Sequence, residues 1–178
     1  MPPQLQLDSG LKKKLLGIFI PRPANCGARV YRSTNQTGIA SGGFAYLVFD
    51  TEREDTGWLT DDAGVTRGFW RDDGNANWQR KLFAQKAGNH VITGHAEIST
   101  NANGIRTLVI RLNGVTYIAA DGRNACQGQF ATSIGIATKW WMEVGDYVEL
   151  GIYQNSGVDL IAVSAEAYSP EFTIVRVP

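Results

Sequence analysis

The sequence predicts an all-β sandwich or barrel built from short strands. Apolar residues recur at every second position along most of the chain from Ala28 onward, the period of half-buried strands. Twenty glycines against six prolines suit many turns and few long helices. No stretch carries the apolar spacing of an amphipathic helix. At 178 residues the chain is long enough for one domain with a real core and short for two.

Residues 1–25, "MPPQLQLDSGLKKKLLGIFIPRPAN", stand apart. They hold four of the six prolines and no regular apolar period, so they read as an arm. Lys12, Lys13 and Lys14 form a charge cluster that faces solvent or a partner. The apolar run Leu15 to Ile20 is shorter than the roughly 7–15 residues of a signal-peptide core, and Pro21 stops it. The expected mature protein therefore starts at or near Met1 without a secretion tag. Nothing approaches the ~18–20 apolar residues of a membrane helix.

Residues 26–178 read as one β domain. "ARVYRS" is a short strand. "GGFAYLVF" sets Phe44, Tyr46 and Val48 against Ala45, Leu47 and Phe49, as in a strand buried on both faces. "NHVITGHAEIS" places His90, Ile92, Gly94, Ala96 and Ile98 on one face. "IRTLVIRLNGVTYIAA" is a hairpin whose Asn113-Gly114 suits a turn with positive φ at both central residues. "FATSIGIATKWWM" is a further strand. In "DYVELGIYQ", Tyr147, Glu149, Gly151 and Tyr153 alternate with Val148, Leu150 and Ile152. "LIAVSAEAY" and "FTIVRV" complete the set. The segment 52–80 is the exception, a polar, glycine-rich insert with Trp58, Trp70 and Trp78. It is too long for a silent connection, so it is functional or packs as a compact loop.

Charge argues against some partners. Lys plus Arg and Asp plus Glu both number 17, so the formal net charge is zero and no global field draws nucleic acid or an acidic membrane. A neutral, fairly apolar chain favours self-association. Cys26 and Cys126 lack the spacing of a metal knuckle and read as two buried thiols in preference to a disulfide.

Catalytic chemistry finds little support. His90 and His95 fall on opposite faces of one strand and cannot share a metal there. His90 reads as a hydrogen-bonded core residue and His95 as a surface residue. There is no nucleophile elbow, phosphate-cradling loop or zinc signature. Asp61, Asp62 and the run Asp72 to Asn77 read as solvated turns; the second resembles part of a calcium loop but lacks the later bidentate Glu. No pair of carboxylates is placed across a cleft for glycoside cleavage. The Asn35-Gln36-Thr37 sequon carries no meaning without secretion. No enzyme activity and no cofactor are expected. Trp58, Phe69, Trp70 and Trp78 either stack on a sugar or partner protein or pack the insert onto the sandwich.

Four motifs, in order, resemble the superfamily of the complement globular head and tumour necrosis factor, and in particular its phage and bacterial members. They are "FD" at Phe49-Asp50, "LFAQKAGNHVI" at Leu82 to Ile92, "EVGDYVEL" at Glu143 to Leu150, and "SPEFTIVRV" near the end. Leu82, Gly88, His90 and Ile92 fill one family pattern, with His90 in place of the usual Tyr or Phe. Met142, Gly145, Asp146 and Val148 fill a Leu-x-x-Gly-Asp-x-Val turn, and Phe172 opens the last strand. The likeness spans about residues 28–178. It implies a jelly-roll sandwich of about ten strands forming a homotrimer, with Gly145-Asp146 turning the chain between sheets and Tyr147 and Tyr153 towards the three-fold axis.

The functional expectation is a bacteriophage structural protein at the virion surface, assembled in the host cytoplasm. In that reading it is a trimeric capsid decoration or cement protein. Leu15, Leu16, Ile18, Phe19 and Ile20 insert between major capsid subunits, and Lys12, Lys13 and Lys14 meet acidic coat surface. The alternative is a knob on a tail protein whose Trp58–Trp78 loop recognises a host surface receptor, either a glycan or a protein.

Overall fold

A computed structural model describes residues 26–56, 59–60, 66–72, 74–127, 130–165 and 168–178. The arm residues Lys12, Lys13, Lys14, Leu15, Leu16, Ile18, Phe19 and Ile20, together with Trp58, lie outside the described residues. The described chain is almost wholly β. Its strands are β1 (Gly27–Tyr31), β2 (Gln36–Ile39), β3 (Phe44–Tyr46), β4 (Thr51–Thr56), β5 (Leu59–Thr60), β6 (Thr66–Arg67), β7 (Lys81–Phe83), β8 (Gly88–Ile98), β9 (Ile105–Leu112), β10 (Thr116–Asn124), β11 (Thr132–Met142), β12 (Tyr147–Gln154), β13 (Leu160–Val163) and β14 (Glu171–Arg176). One helical turn, α1 (Ala76–Gln79), is capped by Asn75, whose side chain accepts from the Asn77 N–H.

Two antiparallel sheets form the sandwich. The larger has seven strands: β8 pairs with β11 on one edge and with β14 and β13 on the other, and β14 leads on to β1 and β4. The smaller has five: β12 pairs with β9 on one edge and with β7 and β3 on the other, and β9 leads on to β10. This is the jelly-roll sandwich expected, with more strands than ten because several are only two to four residues long.

The alternation in the sequence becomes burial. In β8 every second residue from Gly88 to Ile98 is buried and the residues between are half-buried. Its inward face meets Ile134, Leu150, Ile152, Phe172 and Ile174 in one continuous core. Burial of such side chains contributes about 1.5–3 kcal/mol each. Phe49 and Phe172 stack at 5.8 Å in that core. The double-sided burial expected of "GGFAYLVF" does not hold. Leu47 and Phe49 are buried, whereas Phe44, Tyr46 and Val48 are half-buried, because this strand borders the smaller sheet and only one of its faces meets the core.

Turns follow their residues. Asn113 and Gly114 both adopt positive φ, 51° and 70°, and the Val115 N–H closes the turn on the Leu112 carbonyl at 3.1 Å. Gly145, at φ 91°, lies in the corner between β11 and β12, where the Asp146 N–H reaches the Glu143 carbonyl and the Glu143 N–H reaches the Asp146 carboxylate. That corner carries the chain from the larger sheet to the smaller, as expected.

The segment 52–80 is less of a loop than its composition suggests. β4 occupies its start and pairs with β1. The Asp55 carboxylate of β4 accepts the backbone N–H groups of Phe69 and Trp70 at 3.2 and 3.1 Å, and the Trp70 indole N–H reaches the Gln79 carbonyl at 3.0 Å. Burial raises the pKa of Asp55 to about 6, against the opposing pull of those two N–H bonds. Cys26 is half-buried and Cys126 exposed; they form no disulfide, and the expectation of two buried thiols fails because Cys126 sits in the open connection after β10.

Candidate functional site

The outer face of the five-stranded sheet carries a layer of cations and aromatic rings. Strand alternation builds it: on β12, Val148, Leu150 and Ile152 turn to the core, so Tyr147, Glu149, Gly151 and Tyr153 point away. Phe44 crosses the bare backbone of Gly151, where an added Cβ would come within 2.1 Å of the ring. The Arg111 guanidinium lies 5.0 Å from the Tyr117 ring, 5.6 Å from Phe44 and 5.8 Å from Tyr46, and also donates to the Tyr46 hydroxyl. Arg80 stacks on Tyr46 at 4.4 Å and meets the Glu149 carboxylate at 2.7 Å. The Glu149 carboxylate is thereby charge-paired although its side chain is only 1% exposed.

Tyr147 belongs to this layer. Its ring contacts Phe83 at 5.7 Å, and the Lys81 ammonium sits 4.3 Å above it and 5.1 Å from Trp78. Burial raises the Tyr147 pKa, with the neighbouring Glu149 charge adding to the effect. Tyr147 and Tyr153, expected at a trimer axis, are both half-buried within a single copy.

The aromatic residues of the insert divide. Phe69 and Trp70 are 1% and 5% exposed and belong to the core, so their rings are not offered to a ligand. Trp78 is half-buried, tilted against Phe83 at 5.7 Å and covered on one side by Arg71 at 4.9 Å. Asp61, Asp62 and Asp73 of the carboxylate runs lie outside the described residues; among the described residues no group of three His, Cys, Asp or Glu side chains is placed to hold a metal.

The histidines separate as their spacing requires. His90 is fully buried and bonds the Gly88 carbonyl through Nδ1 at 2.9 Å, and desolvation lowers its pKa. His95 faces outward from the larger sheet, directly across from Glu171 on β14.

Sequence reasoning missed one surface that carries a signal of its own. β10 and β11 lie together at one side of the sandwich, each the last strand of its sheet. Tyr117, Trp140 and Trp141 are 60%, 40% and 56% exposed there, and Phe130 just before β11 is 75% exposed. The alternation of β11 is regular from Thr132 to Ile136 and then breaks, leaving Lys139, Trp140 and Trp141 all open. The Trp-Trp pair was the available sign.

No protein-family model matches the sequence, and no curated protein matches it. Among solved structures, crystal structures of murine APRIL at pH 8.5, 8.0 and 5.0 match with TM-scores of 0.56, 0.57 and 0.58. Each match covers 86% of this chain and 99% of the APRIL chain at 9–10% sequence identity. At that identity the likeness is one of fold, and the chain shares the jelly roll of these tumour-necrosis-factor-like proteins.

Proposed function

We propose that the chain is a structural protein of a bacteriophage virion, a homotrimeric jelly-roll knob that decorates or cements the capsid through residues 1–25. The phage setting rests on the sequence motifs quoted above. The assembled state rests on the β10–β11 side, where, among the described residues, each strand is the last of its sheet and Trp140 and Trp141 remain exposed, the Trp141 indole N–H donating only to the nearby Glu143 carboxylate. Such edges pair or aggregate unless covered. Covering the two tryptophans removes roughly 200–250 Å² of aromatic surface per copy, about 5–6 kcal/mol at ~25 cal/mol per Å². Tyr147 and Tyr153 are already half-covered and add less to the same contact.

Deletion of residues 1–25 tests the attachment. The truncated protein should stay trimeric and vanish from purified particles. Retained particle occupancy refutes the assignment.

A second reading, a tail-borne receptor-binding knob, is favoured by Trp78, a half-open indole flanked by Lys81 and Arg71 that suits a sugar ring. Trp78→Ala separates the two. Lost host adsorption with unchanged capsid occupancy supports the tip; unchanged adsorption rejects it.

A further inference from the structure

On the opposite sheet, away from the aromatic layer, lies a cleft of about 830 Å³ whose lining includes Arg29, Tyr31, Ser33, Arg53, His95 and Glu171. That volume falls in the usual range of small-ligand sites. Strand register assembles it. Tyr31 of β1 stands opposite Glu171 of β14, and Glu171 stands opposite His95 of β8, so three residues distant in sequence form one row across the outer face. Arg29 donates to one Glu171 oxygen at 2.7 Å and Arg53 to the other at 3.0 Å, both through Nε. Arg53 also stacks on the Tyr31 ring at 4.2 Å.

The carboxylate acts as a positioning group. Glu171 is only 12% exposed, while Arg29 and Arg53 keep 52% and 40% of their side-chain surface open. Glu54 of β4 stands opposite Arg29 and adds a second negative charge beside Glu171, so the local charge is close to balanced and a singly charged carboxylate is favoured over a phosphate dianion. Preset guanidinium forks are suited to a carboxylate. Ser33 and Tyr31 bring hydroxyl groups to the lining; behind them Ser164 donates to the Arg32 carbonyl at 2.9 Å and shares a hydrogen bond with the buried Ser169 at 3.0 Å. Hydroxyl groups, an aromatic ring and an arginine pair within one open cleft fit a polyhydroxylated ring bearing a carboxylate.

We propose that this cleft binds an acidic sugar, its carboxylate on Arg29 and Arg53 and its hydroxyl groups on Ser33, Tyr31 and His95. The cleft lies on the sheet opposite Trp78 and uses none of residues 1–25 in its lining, so its test is independent of the tests of capsid or tail attachment.

Titration calorimetry of the full chain with digalacturonate, and with its neutral counterpart digalactose, tests the proposal. Digalacturonate should bind saturably and weaken with added salt, and digalactose should bind about tenfold more weakly or worse. Arg53→Gln and Arg29→Gln should each weaken digalacturonate by about tenfold at an unchanged melting temperature, while Lys81→Gln on the opposite sheet leaves it unaltered. If Arg29→Gln fails to fold, the Arg53→Gln variant and the salt dependence carry the test. Equal binding of the two sugars, wild-type affinity in folded Arg53→Gln, or no saturation up to about 10 mM overturns the proposal. So does a change in sedimentation of Arg53→Gln without a change in sugar binding, which would make the cleft a contact between copies.

Discussion

Asp55 makes the stability of the domain depend on pH in a direction opposite to most carboxylates. Its side chain ties β4 to the Phe69–Trp70 segment, yet burial raises its pKa from 3.8 to about 6. A raised folded pKa means that the native state binds the proton more tightly than the unfolded chain. The contribution is therefore favourable below pH ~4 and is lost as pH rises from about 4 to about 6. A shift of about two pKa units sets a ceiling near 3 kcal/mol, and partial solvent exposure of the carboxyl reduces this to about 1–2 kcal/mol. Asp55→Asn cannot titrate. Urea unfolding followed by tryptophan fluorescence, on wild type and variant at pH 4 and pH 7.5, isolates the effect because all other carboxylates cancel in the difference. Wild type should lose about 1–2 kcal/mol relative to Asp55→Asn between those pH values. A difference that stays flat, or runs the other way, refutes the reasoning.

Other perturbations test the packing. Arg106 is fully buried and donates to the carbonyls of Asn101, Asn103 and Ile105; Arg106→Ala should cost about 2–4 kcal/mol in urea unfolding by stranding them. Gly151→Ala drives a methyl group into the Phe44 ring and should lower stability by about 1–3 kcal/mol in thermal unfolding, with Phe44→Ala in the same chain relieving part of the clash. Trp140→Glu with Trp141→Glu should leave the monomer folded by circular dichroism and prevent assembly in sedimentation.

The strands that could be read from the sequence were those whose two faces meet different surroundings. In β8 the alternation of small and apolar residues marks the core face, and the structure buries that face. The faces of β12 were legible in the same way, but not the burial of Glu149, which is 1% exposed on the outer side because Arg80 and neighbouring rings cover it. Phe44 and Tyr46 looked like core for their hydrophobicity alone; only the sheet order shows that they border the smaller sheet. The cleft was beyond sequence reasoning altogether. Arg29 and Glu171 are 142 positions apart, and Arg53 and Glu171 are 118 apart, so only the β4–β1–β14–β8 register brings them together. Within the insert, Phe69 and Trp70 were indistinguishable from Trp78 by composition. Asp55 decides between them by anchoring the first two against the core.

The central claim is that the open β10–β11 side is closed by two further copies of the chain. Sedimentation equilibrium of the full-length protein at micromolar concentration measures this directly. The account predicts a single species with three times the 19.4 kDa chain mass. A stable monomer under those conditions, with Trp140 and Trp141 left in water, would contradict it.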